Sequence, residues 1–200
     1  MPRLYEKLYG DRIYLSPRDV DDETAHMFAK WMNDFSNVNF MDSQMPMPFT
    51  SERRYLEETS QDPSADFYIV LIKNKEENDK IIGAISLENI DYIARSAELG
   101  VFVGESMYRG GGYDAEAVNL ILEFGFRYMN LHSIYLYVYD YNKRARVAYE
   151  KCGFKNAGRL RQHKYLDGGY RDMIVMDMLR GDFEGKCSST PTNSYIRNKK

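Results

Sequence analysis

Hydrophobic positions change their period several times along the chain, and each change marks an element. RIYLSP, from 12 to 17, predicts a short first strand, and DDETAHMFAKWMND, from 21 to 34, a helix with acids in its first turn, where the helix dipole favours them. A loop rich in Met, Phe and Pro, FSNVNFMDSQMPMPF, leads into a second helix over TSERRYLEET, with Thr50 or Ser51 as its N-cap. FYIVLIK and KIIGAISLENI are β-branched runs separated by the charged stretch NKEEND, the pattern of a hairpin, and SAELGVFVGE predicts a further strand. Ala117, Leu120, Ile121, Phe124 and Tyr128 then recur at helical spacing, which predicts a helix with one buried stripe. HSIYLYVYD predicts a strand and NKRARVAYEKCG a helix ended by Gly153. A last hairpin turns across Asp167, Gly168 and Gly169.

This order predicts an α/β (α+β) fold: a twisted mixed, mostly antiparallel sheet of about seven strands flanked by about four helices. One parallel crossover is required, where strand, glycine-led helix and strand follow one another between 96 and 140. No repeat or low-complexity linker interrupts residues 1–180, which predicts a single domain. From 181 to 200, GDFEGKCSSTPTNSYIRNKK loses periodicity and reads as a polar, flexible tail.

Composition narrows the function. A chain of 200 residues with 44% hydrophobic and 28% charged content is long enough for one good core. The net charge of −3 provides no basic surplus for direct nucleic-acid binding. Two cysteines, Cys152 and Cys187, are too few for a disulfide framework, and His26, His132 and His163 lack the close spacings of metal sites. No metal is expected. The N-terminal stretch has no apolar segment of signal-peptide length, and no apolar run reaches the ~18 residues of a membrane span. The expectation is a cytoplasmic protein without a membrane partner, monomeric or homodimeric.

The chemistry concentrates in MYRGGGYDAEAVNLILEFGF, from 107 to 126. An isolated glycine triplet is ordinarily a surface loop. Here Gly110, Gly111 and Gly112 fall between a predicted strand and a helix N-terminus, where unpaired N–H groups and the helix dipole favour an anion. Gly110, Gly112 and Ala115 also satisfy a G-x-G-x-x-A dinucleotide pattern. Against it, the unit lies mid-chain, and 130–135 holds no acid for a ribose.

RGGGYDAEA resembles motif A of the GNAT superfamily of N-acetyltransferases, Q/R-x-x-G-x-G/A, with Arg109 on the Q/R position and Gly112 on the middle glycine. Asp114 stands where the family prefers Gly or Ala. YDYNKRARVAYEKCGF resembles the family's second motif through Asn142, Tyr149, Glu150, Lys151, Gly153 and Phe154. The similarity runs from Asp11 to Leu179. It is nearest to ribosomal-protein alanine N-acetyltransferases and spermidine N-acetyltransferases, which share F-x-x-x-N-L-H and Gly-Arg-Leu-Arg with this chain.

The resemblance implies a sheet splayed between AELGVFV and SIYLYVY, with acetyl-CoA as cosubstrate in the splay. It places the cofactor against Leu99, Val101, Val103, Arg109, Gly110, Gly111, Gly112, Tyr113, Asp114, Asn142 and Arg144. Tyr149 is implied as the acid for the leaving thiolate, and a phenol stays protonated at neutral pH. A backbone N–H of Leu99 to Val103, freed by a bulge and eased by Gly100, is implied as oxyanion donor. Glu98 is the candidate base, with Glu105 in reserve; an ordinary solvated or paired strand residue is the equal alternative. A covalent role for Cys152 lacks an activating histidine.

The implied acceptor is a primary amine: a peptide N-terminus such as that of a ribosomal protein, a polyamine, or another small amine. Between Asp19 and Asp62 ten acids face three bases, a charge that would attract a cationic acceptor. Phe40, Met41, Met45, Met47 and Phe49 offer an adaptable apolar wall. Two non-catalytic readings stay open: a silent CoA-binding regulatory module, which Asp114 would favour, and a protein-binding domain that keeps only the scaffold.

Overall fold

Strands buried on one face or on both build the molecule around a two-sided sheet. The structure, a computed structural model, describes residues 8–17, 21–41, 45–72 and 80–186. Its strands are β1 (Leu8–Tyr9), β2 (Ile13–Pro17), β3 (Asp66–Ile72), β4 (Lys80–Asp91), β5 (Ser96–Val103), β6 (Ser133–Tyr139), β7 (Lys155–Leu166) and β8 (Gly169–Leu179). They form one sheet in the order β1-β2-β3-β4-β5-β6-β8-β7, antiparallel except between β5 and β6. That pair flanks the helix α4 (Tyr113–Glu123), at the crossover the sequence requires.

Alternation decides what each face meets. Ala97 and Leu99 of β5, with Ile134, Leu136 and Val138 of β6, enter a core with Ala117, Val118, Ile121 and Leu122 of α4. The intervening residues face the other way, where α1 (Asp22–Met32) and α3 (Phe49–Ser60) close a second core of Ala25, Phe28, Trp31 and Leu56 over Ala84 and Phe102. Each fully buried large apolar side chain contributes roughly 1.5–3 kcal/mol. α5 (Lys143–Cys152) packs on the α4 side through Ala145, Tyr149 and Cys152. Trp31 seals the second core against β5 so closely that a Cβ on Gly104 would lie 2.1 Å from its ring.

Several boundaries differ from expectation. α3 starts at Phe49 with Pro48 as N-cap, not Thr50 or Ser51; Phe49 is drawn into the helix by stacking on His26 at 3.9 Å. The Met- and Phe-rich loop opens with a short helix, α2 (Phe35–Val38), capped by Asp34. The stripe after the glycines holds at Ala117, Leu120 and Ile121, but Tyr128 is 59% exposed. There the helix widens into a π turn over Phe124–Tyr128, which shifts the phase and buries Phe126 instead. The last hairpin turns on two residues, Asp167 and Gly168, both at positive φ, while Gly169 already pairs with Leu166. Arg180–Lys186 form a helix, α6, at the start of the stretch expected as tail, and Phe183 packs on Phe126 at 5.2 Å. Residues 187–200, Cys187 among them, and the 74–79 turn lie outside the described residues.

Candidate active site

The β5–β6 ladder has three rungs, Ser96 with Ser133, Ala97 with Ile134 and Glu98 with Tyr135, and then stops. β5 continues to Val103 and β6 to Tyr139 without a further rung, so the two strands part beyond Glu98. The expected bulge in β5 is absent: its register with β4 is unbroken from Glu98 to Val103. The bulge lies in β4 instead, between Glu88 and Asp91, with Asn89 at φ 50°. It is therefore the splay that leaves the β6-facing edge of β5 unpaired. The side chains of Leu99 and Val101 belong to the α4 core.

The glycine turn leads into α4, the helix of the β5–β6 crossover. Gly110 and Gly112 take φ of 77° and 78°, in the left-handed region that favours glycine, and Gly112 is the N-cap of α4 with no side-chain cap. Among the described residues, none of the N–H groups from Gly110 to Asp114 donates to a protein acceptor. A Cβ on Gly110 would meet nothing within 4 Å. The turn is thus open, with orphan donors at a helix N-terminus.

Arg12, which the sequence does not single out, braces this turn. Its Nη1 donates to the Gly111 carbonyl at 2.9 Å and its Nε to Glu116 at 2.9 Å, and its guanidinium lies 4.4 Å from the Tyr113 ring centre. The partners are a hundred positions away along the chain, so no local signal links them.

Arg109, which leads into the turn, is anchored on backbone carbonyls. Its Nε donates to the Val103 carbonyl at 3.0 Å, Nη2 to the Gly104 carbonyl at 3.1 Å, and Nη1 to the Ser36 carbonyl at 3.2 Å. Burial, and after it the charge of Arg144, hold its pKa below the ordinary guanidinium value. Arg144 sits in the first turn of α5 with Lys143 and Arg146, and that turn carries no acid. Cations at a helix N-terminus oppose the dipole, an arrangement that suits a bound anion. The Nε of Arg146 is buried without a protein partner.

Asn142 caps α5, its Oδ1 accepting from the Ala145 N–H at 3.2 Å. Tyr149, about two turns further along α5, is partly buried, with its ring edge-on to Phe154 at 6.0 Å. Burial raises its pKa well above the ordinary phenol value, and the negative charges of Asp114 and then Cys152 raise it further. Asp114 therefore stands within electrostatic reach of Tyr149, while its Oδ1 accepts from the Ala115 N–H at 3.0 Å.

On the opposite face of the sheet, Glu98 lies on the last rung of the ladder. Its Oε2 accepts from Asn89 Nδ2 at 3.0 Å, and its charge, after burial, raises the pKa of Tyr135. Directly across on β4 is Glu88, whose Oε1 accepts from Ser86 Oγ at 2.6 Å. A Cβ on Gly100 would lie 2.7 Å from that Oγ, so this glycine makes room for the Ser86–Glu88 pair. Tyr135 and Tyr137 of β6 continue the wall, edge-on at 5.8 Å. Glu88 is the acid the sequence passes over; the strand alternation that turns Glu98 to this face carried the signal for it. The reserve base, Glu105, instead accepts from Trp31 Nε1 at 3.2 Å.

Part of the counted acidic stretch is also occupied. Arg53 bridges Asp22 at 2.7 Å and Glu57 at 3.0 Å, and Asp21 and Asp34 cap helices. Glu98, at the last rung before the splay, and Glu88 across from it come from outside that stretch.

The model of the acetyltransferase (GNAT) domain matches residues 12–155, from the brace of the glycine turn to the residue after the second motif. This chain belongs to the GNAT family.

Among its GNAT relatives, the spermidine N(1)-acetyltransferase of Vibrio cholerae is 35% identical over 103 residues, 52% of this chain and 59% of the relative. YdaF of Bacillus subtilis, provisionally named a ribosomal N-acetyltransferase, is 26% identical over 106 residues, 53% of this chain and 57% of the relative. The chain thus spans under two thirds of the length of these curated relatives. A solved GNAT structure, a chimera of Vibrio cholerae spermidine N-acetyltransferase SpeG and hSSAT, superposes with a TM-score of 0.76 at 25% identity. It covers 87% of this chain and 99% of the other. The splayed mixed sheet is therefore the GNAT frame. No helix among the described residues is long and apolar enough to cross a membrane.

Proposed function

We propose that this protein transfers the acetyl group of acetyl-CoA to a primary amine of a small polycation of the spermidine class, by direct attack in a ternary complex. The observation that carries this reading is the position of Glu98. It stands where β5 and β6 part, with Glu88 across from it, while α4 and α5, which carry the glycine turn and Tyr149, pack on the other face of the sheet. A dication finds two carboxylates and a tyrosine wall on one face; a pyrophosphate finds unused N–H groups and arginines on the other. Relatives named spermidine N(1)-acetyltransferases, at 35% and 33% identity, support the same acceptor class.

The residues present fit CoA. The N–H groups of Gly110 to Tyr113 would hold the pyrophosphate, with Arg144 at the flank and the free Nδ2 of Asn142 toward the pantetheine arm. Bound there, acetyl-CoA supplies an activated thioester carbonyl. Glu98, directly or through water, takes the proton of the ammonium so that nitrogen can attack that carbonyl. An unpaired β5 N–H meets the developing oxyanion. Tyr149 gives its proton to the departing sulfur as the tetrahedral intermediate collapses and the C–S bond breaks; the nitrogen, now bonded to carbon, loses its second proton, and of the two amine protons one returns through solvent to the phenolate while the other leaves to bulk water.

The test is thiol release from acetyl-CoA with spermidine, spermine, ribosomal N-terminal peptides and aminoglycosides. Spermidine and spermine should give the highest kcat/KM. A peptide N-terminus as the preferred acceptor would overturn the polyamine assignment. CoA binding by calorimetry with no thiol release from any amine would replace transfer by a silent regulatory role.

Asp114 offers a second check. Asp114→Ala removes a carboxylate near the pyrophosphate turn, and CoA binding should tighten about two- to fivefold, the scale of one charge at a helix N-terminus. Weaker binding in calorimetry would mean that the carboxylate supports the turn more than it repels the phosphates.

A further inference from the structure

The segment after α1 is held by its backbone, and two of the side chains that hold it flank the elements proposed to bind the cofactor. Arg109, which leads into the glycine turn, donates to the Ser36 carbonyl at 3.2 Å while anchored to the carbonyls of Val103 and Gly104. Tyr141, immediately before the cap of α5, donates its hydroxyl to the Asn39 carbonyl. Lys164 of β7 donates to the Met41 carbonyl at 3.3 Å. The irregular register of β7 between Leu160 and Lys164 precedes this contact.

The same segment reaches the aromatic wall. Phe40 lies 5.8 Å from Tyr141, and Tyr141 stacks on Tyr139 at 5.3 Å. Tyr139 belongs to the β6 series that includes Tyr135 and Tyr137. One short stretch, 36–41, thus touches Arg109, which leads into the glycine turn, and reaches through Phe40 and Tyr141 to Tyr139, at the far end of the β6 series whose Tyr135 pairs with Glu98.

We infer that Arg109 and Tyr141 are positioning residues that couple the two substrates: cofactor in the glycine turn sets residues 36–41, and with them the amine site. Backbone carbonyls are the acceptors, so the link depends on where the segment lies and not on its side chains. A ligand that orders the turn before Gly110 favours one placement of Arg109, hence of Ser36. A segment so placed presents Phe40 and the tyrosine wall to the amine. The coupling is reciprocal, so bound amine must strengthen CoA binding by the same factor.

This inference rests on the transferase reading of the same site, and the experiment separates the two. Spermidine affinity is measured by calorimetry without and with saturating CoA, which binds but cannot transfer, and thiol release is measured on the same preparations. In the unsubstituted protein CoA should improve spermidine affinity by at least about fivefold, the lower end of ordinary coupling between sites. Tyr141→Phe, which removes one hydroxyl and no packing, should reduce that factor, and Arg109→Lys should bring it close to one. A merely structural role would weaken each ligand alone and leave the ratio unchanged. Turnover with spermidine together with an affinity indifferent to CoA would overturn the coupling while leaving the transferase reading intact. Full coupling retained in both variants would overturn the assignment to Arg109 and Tyr141. Absence of thiol release with every amine would remove the transferase reading, and the inference with it.

Discussion

Tyr149→Phe should lower kcat by about 10²-fold or more, the range lost with a general acid, and leave acetyl-CoA affinity within about twofold. The hydroxyl is the only group removed, and the ring keeps its edge contact with Phe154, so the cavity and strain terms of a core substitution do not arise. The pH profile of the unsubstituted enzyme carries a second signature. Burial, then Asp114, raises the Tyr149 pKa above the ordinary phenol value of ~10, so the proton is held further into the alkaline range. The acid form is complete at neutral pH, and Tyr149 should impose no alkaline decline on kcat below pH ~10. An unchanged rate in the phenylalanine variant would remove Tyr149 from the acid role. A Tyr149-dependent decline beginning near neutrality would contradict the buried setting.

Glu98→Gln should reduce kcat/KM for spermidine at neutral pH by about 10²-fold, the lower bound of a lost general base. Two causes can be separated by pH. A primary ammonium has a pKa near ~10, so without a base the fraction of neutral amine rises about tenfold per unit up to that point. If Glu98 takes the proton, the activity of the variant should climb steeply with pH and approach the parent at its alkaline end. If Glu98 only attracts the cation, kcat should stay near the parent value while KM rises at every pH. Glu88→Gln is the control: it removes the facing carboxylate, which touches Ser86, and should raise KM with a smaller effect on kcat. Equal losses in the two variants with flat pH profiles would leave both as electrostatic partners of the amine and return the base to water.

Most strands and helices could be read along the chain because the evidence for them is local. The apolar β-branched run of β4, the alternation along β6, the helical stripe through Ala117 and Ile121, and Gly153 at φ 111° after α5 depend on neighbours within a turn or a pleat. The two motifs were legible for the same reason: the glycines and Asn142 through Phe154 are contiguous segments. The misread features are those where distant residues override local preference. Phe49 enters α3 because His26 stacks on it, and Phe126 replaces Tyr128 in the core because a π turn shifts the stripe.

From the order of residues alone, the chain determined a mixed sheet, a phosphate-type turn before α4 and a tyrosine on α5. Backbone propensity and capping act within a few residues, and a linear string shows them. Tertiary structure decided which side chains meet: Glu88 opposite Glu98, Arg12 on Gly111, and Arg109 on Ser36. Those pairings depend on strand register, on the bulge at Asn89 and on where β5 and β6 part, and each is set by packing across the whole sheet.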